Sequence, residues 1–266
     1  MFDLSRAFID ENRRLGGLVI ILSPESLYEA GILKNILDIF AKNSIPILQL
    51  NTSKTSGEKV SILIFYELKD KEFHKNIINI IKNRIPHVED VKVINEVMPG
   101  VIIDDVNFPV TVLNERAILL RKPLYKEMLL YFKRKLGSIG NVYLYHVGYS
   151  WGKAAAESHM KLAKGDIKRA IDIGSRFFHS VGFGRMKIKN FNMQLGRITI
   201  DVYDSFECEV IKEEGIRKPS SELVRGILSG WFSLLLRYKI VFKETKCIAL
   251  GDEYCEFDAV KERSIE

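Results

Sequence analysis

Residues 18–94 alternate between short apolar runs and apolar residues at helical spacing, in an order that few folds can accommodate. The run Leu18-Val-Ile-Ile-Leu22, bounded by Gly16-Gly17 and Ser23-Pro24, reads as a buried strand. Ile32, Leu33, Ile36, Leu37, Ile39 and Phe40 then recur at helical spacing. Residues 45–50 and 60–66 are strand-like and joined by a polar loop at 51–59, a hairpin pattern. Phe73, Ile77, Ile80 and Ile81 mark a second helix, and 88–94 closes the set as a strand. The order βαββαβ predicts two helices on one face of a four-stranded antiparallel sheet, a ferredoxin-like sandwich. The charged stretch ahead of it, MFDLSRAFIDENRR, is expected to be helical.

After residue 94 the pattern changes. Residues 95–110, with Pro99-Gly100 and Phe108-Pro109, read as a linker. Pro123 suits a first helical position, and Leu124, Met128, Phe132 and Leu136 follow on one face. Helices are expected at 141–162 and 167–181, and strands at 185–192, 197–203 and 206–211. Pro219-Ser220 opens another helix, in which Leu223, Ile227, Trp231 and Leu234 share a face and Gly226 and Gly230 permit close approach of a neighbour. A hairpin ends the chain. The expectation is an α+β protein with a ferredoxin-like domain at 1–98, a linker at 99–110, and a second domain of helices on an antiparallel sheet at 111–266.

Composition narrows the function classes. The chain has 266 residues, 47% of them hydrophobic, yet no apolar run approaches the roughly 18 residues of a membrane span, and its start does not resemble a secretory leader. A cytoplasmic protein is expected. The net charge of +6 is spread along the chain among acids, which argues against a nucleic-acid partner. Gly148-Tyr-Ser-Trp-Gly-Lys lacks the spacing of a phosphate loop, and Gly182-Phe-Gly184 lacks the third glycine of a dinucleotide site. There is no H-E-x-x-H.

Three cysteines, an odd number, point to a metal or a reactive thiol more than to a disulfide framework. Cys247 and Cys255 lie four residues on either side of Gly251, so a hairpin centred there makes them cross-strand neighbours, near enough to share a metal or to form a disulfide. Strict alternation sends Glu244 to the opposite face. It joins the cysteines only if the strand bulges or ends near Thr245. Cys208, on an expected earlier strand, would complete three sulfurs and one carboxylate, a closed tetrahedral set suited to structural zinc, with Lys243 and Lys246 in sequence reach to favour thiolates. The alternative is that the cysteines are small buried apolar residues.

Two family resemblances add to this reading. EAGILKNILDIFAKNSIPILQL, residues 29–50, resembles ACT-type regulatory domains, which implies that Gly31 opens a helix whose start faces a small effector. The lead-in Ser-Pro-Glu-Ser-Leu-Tyr-Glu-Ala differs from the usual Asp-x-x-Gly-like one. From about residue 107 to 258 the chain resembles the vinyl-4-reductase domain, also found as the sensor of phenol- and xylene-responsive activators. The resemblance is carried by RAILLRKPLYKEML (116–129), YHVGYSWGKAAAE (145–157), FHSVGFGRMKIKNF (178–191), and the run from GILSGWFS through VFKETKCIALGDEYCEF.

That second resemblance implies a structural Zn2+ site at Cys208, Glu244, Cys247 and Cys255, a buried pocket for a small hydrophobic ligand, and a homodimer. Candidate pocket residues are Tyr145, His146, Trp151, Phe177, Phe178, Trp231 and Phe232, with His146, His159 or His179 as a polar handle. The expected function is ligand sensing with output through a regulatory partner or the ACT-like half. Two alternatives are kept: a reductase of tetrapyrrole vinyl groups, after which the family is named, and an assembly subunit with a lipid-sized cavity.

Overall fold

A computed structural model of the chain describes residues 3–4, 6–54, 59–193, 195 and 197–261. The chain divides into two compact units, Met1–Leu119 and Leu120–Glu266.

The first unit contains β1 (Ala7–Ile9), β2 (Leu15–Leu22), α1 (Ile32–Lys42), β3 (Ile47–Lys54), β4 (Val60–Glu67), α2 (Lys71–Arg84), β5 (Val88–Ile94), β6 (Glu96–Met98), β7 (Val101–Ile103), and a small hairpin of β8 (Thr111–Val112) and β9 (Glu115–Arg116). Strands β3, β4, β2 and β5 form an antiparallel sheet in that order, the arrangement expected of a ferredoxin-like sandwich. The tip of the expected loop, residues 55–58, lies outside the described residues. Leu18, Ile20, Ile62 and Ile64 face α1 and α2, where they bury Ile36, Phe40, Ile77 and Ile81.

The run at 18–22 is continuous because the other face is covered too. Val19, Leu63, Phe65 and Ile94 pack with Ile102 of β7. Two expectations are corrected here. The amino-terminal stretch is not a helix where it can be read: Ala7–Ile9 is a strand paired with Val101–Ile103. Within residues 99–110, expected as a linker, Val101–Ile103 is a strand of this second layer and residues 104–107 are tied to it. Asp104 fixes them, since its carboxylate accepts the N–H groups of Val106 and Asn107 and pairs with Arg6. Proline and glycine had signalled a turn between strands, not a break between domains.

The second unit contains α3 (Lys122–Lys135), α4 (Gly137–Leu162), α5 (Ile167–Ser180), β10 (Arg185–Asn192), β11 (Arg197–Tyr203), α6 (Phe206–Glu213), α7 (Glu222–Leu236), β12 (Ile240–Lys246) and β13 (Cys255–Lys261). Its sheet is antiparallel with the order β10-β11-β13-β12. Phe206–Glu213 is a helix where a strand was expected. Phe206, Cys208 and Val210 alternate as strand residues would, but Glu207 and Ile211 are buried as well, which one face of a strand cannot provide, and Glu207 and Glu209 occupy a first turn that favours acids. Among the described residues no helix is long and apolar enough to cross a membrane.

Helices α4 and α7 meet backbone to backbone. A Cβ on Gly148 or Gly152 would lie 2.2 or 2.1 Å from the carbonyl oxygen of Leu223 or Ile227, and one on Gly226 or Gly230 would lie 2.1 or 2.0 Å from that of Tyr145 or Tyr149. Because these partner numbers rise together along both helices, the two run in the same direction. Such approach permits Cα–H···O contacts that no larger residue would allow. Replacing Gly226 with Ala is expected to destabilise the protein by about 1–3 kcal/mol, as overpacking against an unyielding backbone does, measured as a lower urea midpoint.

Candidate metal centre and adjoining apolar core

Three elements bring Cys208, Glu244, Cys247 and Cys255 together. Cys208 sits in the first turn of α6, Glu244 near the end of β12, Cys247 just past it, and Cys255 at the start of β13. Their donor atoms all lie within 4.8 Å of one another. All three cysteines are free and fully buried. Cys208 Sγ is 3.5 Å from Cys247 Sγ and 3.7 Å from Glu244 Oε1.

Glu244 reaches the sulfurs through a β-bulge. Glu244 pairs with Phe257 and Lys246 with Glu256, so Thr245 is the extra residue on its strand. The bulge cancels one step of alternation and puts Glu244 and Cys247 on the same face as buried Phe242. The end of the hairpin is less regular than a two-residue turn. The ladder stops at Lys246 and Glu256, and a short 3-10 turn, Ile248–Leu250, leads into Gly251. Asp252 closes it by accepting the Cys247 N–H at 2.8 Å.

The electrostatics follow from burial and from shared hydrogen bonds. Bonds from Cys208 and Cys255 hold Cys247 as a thiolate, well below the usual thiol range, and the Ala249 N–H assists. The Cys247 bond, then Cys255 and burial, push Cys208 up, so it keeps its proton. Cys255 is pulled down by Cys208, but Cys247 and burial leave it raised. Burial pushes the Glu244 carboxyl up to about 8, although hydrogen bonds from Ser221 oppose the shift. The four groups oppose one another's ionisation, and their donor atoms could hold a metal ion. The two lysines do not supply a cation there. Lys246 turns to Tyr254 Oη and Glu256, and Lys243 is exposed opposite Asp258.

Two residues that sequence reasoning missed organise the surroundings. Ser221, at the N-cap of α7, donates its hydroxyl to Glu244 Oε1 at 2.7 Å and its N–H to Oε2 at 3.2 Å. Glu207 is buried and accepts the N–H groups of Leu223 and Val224 at 3.2 and 2.9 Å, capping α7 from another helix. Burial raises its carboxyl pKa, and the buried ammonium of Lys133, 3.5 Å away, opposes the shift.

The candidate pocket residues do not converge on one point. Phe177 and Trp231 meet at His159, whose Nδ1 accepts the Trp231 Nε1–H at 3.1 Å. Phe232 packs edge-on against Trp231, and Phe178 against Phe183. Tyr145 is half-buried beneath Arg225, while His146, Trp151 and His179 are exposed. In the first unit Gly31 is the N-cap of α1 with φ 98°, a left-handed conformation suited to glycine.

The second unit thus has helices covering an antiparallel sheet, with a buried thiol and carboxylate cluster at one end of its last hairpin. Residues 198–261 match the vinyl-4-reductase domain, the family that the second unit resembles. All four cluster residues lie within the match. An uncharacterized protein of Methanocaldococcus jannaschii is 24% identical over 140 residues, which is 52% of this chain and 67% of that one. A second uncharacterized protein of that organism is 29% identical over 84 residues, 32% of this chain and 48% of its own length. Among solved structures, the phenol-responsive sensory domain of the transcription activator PoxR, solved with phenol, is similar with a TM-score of 0.52 and 20% identity, covering 57% of this chain and 80% of that one.

Replacing Lys133 with Met would leave Glu207 buried without its counter-charge. The expected loss is about 3–5 kcal/mol in chemical denaturation, and a Lys133→Met/Glu207→Gln double variant should recover much of it.

Proposed function

We propose that this protein is a cytoplasmic small-molecule sensor whose second unit binds a hydrophobic or aromatic ligand and is braced by one structural zinc ion on Cys208, Glu244, Cys247 and Cys255. The observation that carries the reading is that these four residues, all inside the vinyl-4-reductase match, gather their donor atoms within 4.8 Å in a buried site. The donor set fits zinc. With Zn–S bonds of about 2.3 Å a tetrahedral ion separates its sulfurs by about 3.8 Å, close to the 3.5 Å between Cys208 and Cys247. Three thiolates and a carboxylate leave no vacancy for water, so the ion would crosslink α6 to the hairpin and perform no chemistry.

On this reading the ligand would enter between α4, α5 and α7, where His159 offers a polar atom among Phe177, Trp231 and Phe232. With Nδ1 engaged by Trp231, the neutral imidazole carries its proton on Nε2 and can donate to a hydroxyl or carbonyl. The PoxR domain, which shares the fold, was solved with phenol, a ligand of that kind. Binding would shift a homodimer between two arrangements through its differential affinity for them. Output then passes to a regulatory protein partner or to the ACT-like first unit, whose effector would sit at Gly31.

Two measurements test this. Elemental analysis with native mass spectrometry should find one zinc per chain, lost in Cys247→Ser together with several kcal/mol of stability. Zinc-loaded protein should be stabilised in a thermal-shift series of phenols, alkylbenzenes and fatty acids, by about 2.7 kcal/mol at a hundredfold excess over Kd. If none of them raises the melting temperature, sensing of apolar ligands is wrong even with zinc in place.

A further inference from the structure

Ser221 occupies a helix N-cap but does not cap. A serine there ordinarily accepts a hydrogen bond from the second or third helical N–H, and Ser221 makes no such bond. The Glu207 carboxylate has taken both amides, those of Leu223 and Val224. This frees a hydroxyl that is itself buried, with Ser221 only 2% exposed.

That hydroxyl turns to the thiol and carboxylate cluster. Its Oγ lies 2.7 Å from Glu244 Oε1 and 2.6 Å from Cys208 Sγ, and the Ser221 N–H lies 3.2 Å from Glu244 Oε2. One residue thus touches both oxygens of the carboxylate and the sulfur of a second cluster member. Glutamate is the longest side chain of the four and the only one whose donor can rotate away by a terminal torsion. Two hydrogen bonds from a single rigid donor residue stop that rotation and aim the remaining lone pairs at the sulfurs.

Resting on the metal reading above, we infer that Ser221 is the positioning residue of the centre: it holds Glu244 as the fourth ligand, and through it metal occupancy is tied to the first turn of α7. Glu207 and Cys208 are consecutive, so α6 supplies the cap of α7 with one residue and a ligand with the next. Ser221 completes the circuit from α7 back to the ligand on β12. Outer partners of this kind affect metal affinity by about 10–100-fold.

The test uses full-length protein with Co(II) as the optical probe and chelator competition for Zn(II). Ser221→Ala should still bind one ion through three thiolates, with affinity lower by about 10–100-fold and a d–d spectrum moved toward that of Glu244→Ala. Ser221→Thr, which keeps the hydroxyl, should restore both. In a Glu244→Ala background, Ser221→Ala should have little further effect. Should the alanine variant not fold, Ser221→Gly carries the same comparison, because glycine is tolerated at N-caps. Wild-type affinity and spectrum in Ser221→Ala, or effects that simply add to those of Glu244→Ala, would overturn the inference and leave the metal centre standing. A wild-type protein that takes up neither ion would remove the metal reading itself.

Discussion

Where α4 and α7 pass, four glycines leave only backbone between them, and each would-be Cβ lies about as far from a carbonyl oxygen as a covalent neighbour's neighbour. The axis of α7 is therefore set by main chain, which has no rotamers to adjust. The rest of the unit is arranged from that axis. β12 follows α7 directly and is anchored to it by Ser229 and Ser233, whose hydroxyls bond to Phe242 and Ile240 of the strand. Its carboxylate and the neighbouring sulfurs are thus delivered to the same end of the helix as the residues that receive them.

At that end the N-terminus of α7 is handled by two carboxylates with separate duties. Glu207 satisfies the amides, with Lys133 as its counter-charge, and Glu244 is held by the residue those amides would otherwise have engaged. Both acids are costly to bury alone. Each is tolerable because a fixed donor stands within hydrogen-bond reach. The partial positive charge of a helix start adds to that tolerance for both.

The sandwich of the first unit was legible because period and order agree: strand runs at 18–22, 45–50, 60–66 and 88–94, and helical spacing between them, admit few arrangements. The three-stranded layer on its back was not, since Ala7–Ile9 and Val101–Ile103 are too short to show a period and their pairing spans most of the unit. For the candidate metal residues, spacing around Gly251 put two cysteines near each other, which the structure does just past the end of the ladder, while the position of Glu244 relative to them depended on a bulge that no local pattern announces. Cys208 was put on the wrong kind of element because Phe206, Cys208 and Val210 alternate as one face of a strand would, over a run too short to show a helical period. The aromatic candidates were the least legible group. Helical spacing puts Trp231 in the core, but it cannot distinguish it from Trp151, which the structure leaves exposed.

The bulge at Thr245 gives the stretch between Glu244 and Cys247 an unusual kind of information. What selects the ligand is the number of residues there, not their identity: the side chain of Thr245 is exposed, with its hydroxyl on Glu256 across the ladder. Had the same four donors appeared in the same order on an unbulged strand, Glu244 would keep the face of Phe242 while Cys247 turned to the opposite one, and the cluster would lose a sulfur. At this site counting is chemistry, and a residue that touches no donor decides which atoms the centre is made of.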